Sequence, residues 1–159
     1  MATGTAAESA LARLILHKFD ELVDLVSRMD DDAANAVLPV EGSNSGVQLV
    51  AHCCGAMRSW SSTANLGVEV PRDRDAEFEA SMPVAEVLEL AARTRSAFLG
   101  DVEQTDLSAA PAAVPPGREE FWLVSCEAVL IHVLEEICQH LGHAEITRDV
   151  VLSDSDEHQ

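Results

Sequence analysis

Apolar residues recur at steps of three and four in four stretches of the chain, each bounded by residues that stop a helix. From Ala7 to about Met29, the positions Leu11, Leu14, Ile15, Lys18, Leu22, Leu25 and Val26 predict one amphipathic helix. Met29 to Ser45 carries Asp30, Asp31, Asp32, Pro39, Gly42 and Asn44 and reads as a connection. At its end, either Ser43 or Ser45 can N-cap the next helix. That second helix is predicted from about Gly46 to Ala64 through Val47, Leu49, Val50, Ala51, Ala56, Met57 and Trp60. Asn65 to Ser81, with Gly67, Pro71 and the charge run Arg72 to Asp75, reads as a long polar loop of the kind that often covers a site. Pro83 suits the first turn of a third helix, running to about Gly100 through Val84, Val87, Leu88, Ala91, Ala92, Arg95 and Leu99. Residues 101–118, acidic and then rich in Ala and Pro, form a second long connection. Glu119 to Val124 is an extended or helical lead-in, and Ser125 can cap a fourth helix that continues to about Val151.

Four amphipathic helices without a convincing strand predict an all-α four-helix bundle with a long connection before the last helix. Residues 1–152 are expected to form one domain, with residues 1–6 frayed and 153–159 a polar disordered tail. At 159 residues the chain is long enough to bury a core without staples.

Composition narrows the function. With 28 acidic against 10 basic residues the formal net charge is −18, and Lys18 is the one lysine. Binding nucleic acid or an anionic membrane needs clustered Lys and Arg, so neither is expected. The apolar runs are too short to span a bilayer, and the N-terminus shows no signal-peptide pattern. Cys53, Cys54, Cys126 and Cys138 make no CxxC, so a reduced, cytoplasmic protein is expected. His17 lies off the apolar stripe and reads as an exposed histidine, and His158 in the tail is given no role.

The candidate chemistry lies in the fourth helix. At about 100° per residue, His132, Glu136, His140 and His143 fall at roughly 0°, 40°, 80° and 20°, one narrow stripe. Beside it runs an apolar arc of Val133, Leu134, Ile137, Leu141 and Ala144, so the stripe borders the inward face. Imidazoles and a carboxylate placed there are costly unless something binds them, and a divalent metal ion is the simplest partner. Glu136 and His140, at i and i+4, can reach one ion, and a third ligand must come from another helix. His52, in the middle of the second helix, can serve. His132 and His143 can instead be ligands, outer partners that orient ligands, or water contacts. The competing reading is a solvated polar face on which Glu136 and His140 form an ordinary i,i+4 pair. Cys53 and Cys54 can be soft ligands, redox-active thiols or small core residues, with burial favoured for at least one. Cys138 points away from the stripe.

The segment Val124 to Asp149, with His132, Glu135, Glu136, His140, Gly142, His143, Ala144 and Arg148, resembles the last helix of DinB-like proteins. It is nearest to the actinobacterial branch of mycothiol-dependent enzymes. Leu49 to Trp60 is similar to that family's second helix around its histidine, and Arg72 to Phe78 resembles the loop before the third. The chain departs from the pattern at Cys53 and Cys54, at Glu145 in place of an aspartate, and at Asp149 in place of a glutamate. The resemblance implies a four-helix bundle, a homodimer, and a divalent metal held by one histidine of the second helix and two ligands of the fourth. On the pattern of the mycothiol-dependent maleylpyruvate isomerase these are His52, Glu136 and His140.

The function implied is a metal-dependent thiol S-transferase, with zinc expected and nickel or iron as alternatives. Mycothiol is the implied co-substrate, and the partners are a small-molecule thiol and an electrophile. The metal would keep the thiol ionised and aim its sulfur. His132, His143 and Arg148 are candidates for orienting ligands or meeting substrate. For Arg148 a helix C-terminal charge interaction is the plainer account. Three other readings stand beside this one. A thiol-dependent isomerase of the maleylpyruvate type is one, although the isomerase's second domain is not expected here. A non-haem iron enzyme on the His2Glu site is another, and a non-catalytic, metal-stabilised stress or binding protein is the third.

Overall fold

The computed structural model describes residues 5–118 and 120–156 and is all-helical. Six α-helices are present among the described residues: α1 (Ala10–Ser27), α2 (Asp31–Asn35), α3 (Gly46–Arg58), α4 (Arg74–Phe78), α5 (Val84–Glu103) and α6 (Cys126–Asp156). The four long ones form the bundle expected from the periodicity. Helix α1 packs along α6, and α3 packs against both α5 and α6.

Each helix buries residues at helical spacing. The core takes Ile15, Phe19, Leu22 and Val26 from α1, and Val47, Leu49, Val50 and Met57 from α3. It takes Val87, Ala91, Phe98 and Val102 from α5, and Val129, Leu130, Val133, Ile137 and Leu141 from α6. Each fully buried large side chain contributes roughly 1.5–3 kcal/mol relative to exposure, so the seam between α3 and α6 is fixed by packing before any polar group acts. The inward stripe of α1 differs from the expected one. Leu14 is 44% exposed, while Ala12, Leu16 and Phe19 turn inward. His17 is exposed as expected and pairs with Glu21.

The helix ends follow from their caps. Ser9 accepts from the backbone N–H of Ala12, Ser45 from that of Gln48, and Ser125 from that of Ala128. Gln48 bonds back to the Ser45 N–H, completing a capping box. Of the two serines before α3, Ser45 therefore does the capping.

Four expectations about boundaries are corrected. The connection 29–45 contains α2, capped by Asp30. The polar loop 65–81 contains α4, capped by Asp73. Helix α5 continues to Glu103, past Gly100. Helix α6 runs through Asp156, so Ser153 to Asp156 are helical where a disordered tail was expected. Residues 157–159, the rest of that expected tail, and residues 1–4 of the expected frayed start lie outside the described residues. Ala6 to Glu8 form a single 3-10 turn.

The second helix extends to Ala64 as expected, but Ser59–Ala64 is π-helical. Wider turns of this kind carry an extra residue and occur often at functional sites. Past it, Gly67 adopts φ +70°, a conformation that favours glycine. The end of this segment is tied to the connection before α6. The N–H groups of Ala112 and Ala113 donate to the carbonyls of Asn65 and Ala64, and the Asn65 amide donates to the Cys126 carbonyl at 3.2 Å.

Candidate metal centre

Helix α3 presents His52 toward α6, and α6 presents Glu136 and His140 one turn apart toward α3. The ligand atoms of these three side chains all lie within 4.8 Å of one another, the grouping among the described residues suited to a metal ion. His52 Nε2 is 3.1 Å from Glu136 Oε2. His140 Nε2 stands 3.6 Å from the same oxygen, too long for a full hydrogen bond but near enough for strong attraction. The two imidazoles meet edge to face with centroids 4.5 Å apart. His52 is buried, and Glu136 and His140 are partly so.

Electrostatics readies the carboxylate. The His140 and then the His52 imidazoles hold the Glu136 carboxyl far below the usual range, against the opposing effect of burial. Burial opposes a charge on His52, but its bonds to Glu136 and Glu77 outweigh that effect and raise its pKa above the ordinary value.

The donor set fits a divalent ion. Two imidazoles and one carboxylate with room for a further ligand is the composition of catalytic zinc sites and of non-haem iron sites. His140 Nδ1 is buried without a hydrogen-bond partner, a cost that a ligand would relieve.

The other sequence candidates separate. His132 flanks the group, with Nε2 3.7 Å from Glu136 Oε1 and its Nδ1 on Glu135. Its ring stacks on Trp122 at 4.1 Å and meets Trp60 edge to face at 5.3 Å. A groove of about 360 Å³ opens beside it, lined by Phe121, Trp122, Val124, Ala128, Ile131, His132 and Glu135. His143 is held away from the cluster, its Nε2 accepting from the Asn44 N–H at 3.3 Å. Burial first, and then the charge of His140, lower its pKa. Arg148 forks onto Asp149 and lines a groove between α1 and α6. That places it eight residues, or about 12 Å along the helix, from His140. The helix turns it out of the cluster, which corrects its suggested substrate role.

Cys53 and Cys54 point into the core and are buried, and Cys138 is exposed. Burial pushes the Cys53 thiol well up and the Cys54 thiol up to about 12, so neither is a ready thiolate.

Sequence reasoning missed the residues behind His52. Glu77 of α4 places Oε1 3.1 Å from His52 Nδ1, and Phe78 stacks on the His52 ring at 4.5 Å. Arg72 donates to both Glu77 oxygens, at 2.8 and 2.9 Å. Asp73, at an N-cap position with acidic residues in the turn that follows, was the available signal.

A histidine and two further donors converging between two helices of an all-helical bundle define a class of bundle with a potential metal centre between its helices. A model of the family described as mycothiol-S-transferase matches residues 10–152, and the chain belongs to that family. A comparison with curated protein sequences finds no match. Among solved structures, a conserved protein from Enterococcus faecalis has a similar fold, with a TM-score of 0.64 at 13% identity over 95% of this chain and 99% of that one. That likeness concerns the fold alone. No helix among the described residues is long and apolar enough to cross a membrane.

Proposed function

We propose that the protein is a divalent-metal-dependent S-transferase that joins the sulfur of mycothiol to an electrophile, with His52, Glu136 and His140 as the metal ligands. The observation that carries this is the convergence of those three donors within 4.8 Å from two helices, in a member of the mycothiol-S-transferase family. A divalent ion bound there, zinc by expectation, would keep a thiol ionised at neutral pH.

The residues around the cluster divide the remaining work. Glu136 contributes one negative charge, which leaves a divalent ion and its protein ligands net positive and receptive to an anionic sulfur. His132 is placed to take the thiol proton on Nε2, which has no hydrogen-bond partner. The apolar groove beside Trp122 is placed to seat the electrophile's body. The new bond joins sulfur to the electrophilic carbon, and the electron pair displaced there leaves with a leaving group or is protonated.

Metal content, compared among wild type, His52→Ala, Glu136→Ala and His140→Ala, tests the reading, followed by a thiol-transfer assay with mycothiol and a panel of electrophiles. The expected result is one equivalent of zinc in wild type, lost in each variant together with transfer. Metal-free wild type after reconstitution would sink the proposal. So would one equivalent of iron with oxygen-dependent, thiol-independent turnover.

A further inference from the structure

Resting on that metal-dependent reading, we propose that Glu77, clamped by Arg72 and admitted to α3 by Gly55, is the positioning residue that turns His52 Nε2 toward Glu136 and His140.

An imidazole on a helix can rotate and can carry its proton on either nitrogen, so a ligating histidine needs a partner on its other nitrogen. His52 has one. Its Nδ1 is 3.1 Å from Glu77 Oε1, on the side of the ring away from Glu136, and Nδ1–H donating to that carboxylate leaves Nε2 to the cluster. The carboxylate is itself held. Arg72 meets it with Nε on Oε2 and Nη2 on Oε1, a two-point contact that fixes its plane as well as its position. Phe78, the next residue of α4, stacks on the same imidazole and limits its tilt.

The approach is possible because of Gly55. A Cβ built on Gly55 would lie 1.8 Å from Glu77 Oε2 and 2.6 Å from its Cδ. Gly55 is one turn beyond His52, on the flank of α3 where α4 crosses. A glycine in a helix interior is unfavourable, and here its missing side chain is the notch that the carboxylate fills. Three residues that the cluster itself does not contain thus converge on one nitrogen of one ligand.

The test strips metal from wild type, Glu77→Gln, Gly55→Ala and Asp101→Ala, the last being a buried carboxylate bonded to Arg58 and Ser61 instead. Zinc affinity is measured by competition with a chromophoric chelator, and the visible spectrum of each cobalt(II)-loaded protein is recorded. Glu77→Gln and Gly55→Ala are expected to bind zinc roughly 10–100-fold more weakly, with altered cobalt bands. Metal-free Gly55→Ala should melt no lower than wild type, because alanine favours the helix and the end of a flexible glutamate can swing aside. Asp101→Ala should keep wild-type zinc affinity. Zinc affinities within twofold of wild type and an unchanged cobalt spectrum in Glu77→Gln and Gly55→Ala would overturn this assignment alone. An equal loss in Asp101→Ala would overturn it too, by tracing the effect to general loosening. Wild type that binds neither ion would overturn both this assignment and the reading beneath it.

Discussion

Two arginine–carboxylate clusters hang on the same helical rod, and they are built to opposite ends. At the end of α3, Arg58 and Ser61 both donate to Asp101 of α5. Every strong group there is consumed inside the cluster, which joins two helices and leads nowhere. One turn and a half earlier, Arg72 and Glu77 make the same kind of pair, but the pair is bonded onward to His52 and through it faces Glu136 and His140. The lesson is that a buried ion pair does not announce its role by its own chemistry. What distinguishes a fastening from a site is whether the chain of bonds closes or ends in groups that still want a partner, as His140 Nδ1 and His132 Nε2 do.

The sharpest way to break that contrast is Glu136→Ala. Zinc affinity should fall by at least about 100-fold, since one of three ligands is lost, while the helical circular dichroism stays intact; chelator competition reads this directly. Next comes Asp101→Ala, whose effect should run the other way. Removing one partner of a buried pair strands the other charge, at a cost of about 3 kcal/mol. For a chain this size, that corresponds to a fall in Tm of roughly 6–12 °C with zinc affinity kept. If Asp101→Ala instead lost zinc at constant Tm, the two clusters would not be separable.

A smaller effect is expected from pH in the metal-free protein. His52 has a raised pKa because its bonds to Glu136 and Glu77 outweigh burial, so its contribution to stability is full below 6.5 and is lost as pH rises through the higher folded value. Glu136 and Glu77 are both lowered. Their contribution is present above 4.5 and lost as pH falls toward their folded values. Chelated protein should therefore melt at lower temperature at pH 8 than at pH 6, and in His52→Ala that slope should flatten. A slope unchanged in the variant would remove His52 as its source. Smallest of all, a thiol alkylating reagent at neutral pH should label Cys138 of the native chain and leave Cys53 and Cys54 untouched, as peptide mass mapping would show. Rapid labelling of Cys54 would contradict its burial between the two clusters.

The long helices were legible because their apolar positions repeat over several turns, and so was the alignment of Glu136 with His140, which is a matter of spacing alone. The inward face of α1 was misjudged at Leu14 because size was taken for burial. Large apolar side chains are often exposed, and the tight approach was made by Ala12 and Phe19 instead. Helices α2 and α4 have five residues each, too few to display a period. Only their caps, Asp30 and Asp73, mark them in the sequence. Glu77 could not be read because its partner is 25 residues away on another element. Nothing in a linear pattern pairs a carboxylate in a polar run with a histidine in an apolar helix. The pairing of His52 with the fourth helix came from resemblance together with the scarcity of other histidines, not from spacing.

The π-helical stretch Ser59–Ala64 has a consequence for sequence length. It holds one more residue than an α-helix of equal rise would need, so in this stretch the chain should respond to a deletion as other helices respond to an insertion. Removing Thr63 would let the stretch relax to an α-helix and turn everything after it by about 100°. Asn65 would be carried away from the Cys126 carbonyl at the start of α6. The surplus residue works as a phase setter between the two halves of the bundle. Homologous chains lacking it would need a compensating change in the length of the connection before the last helix.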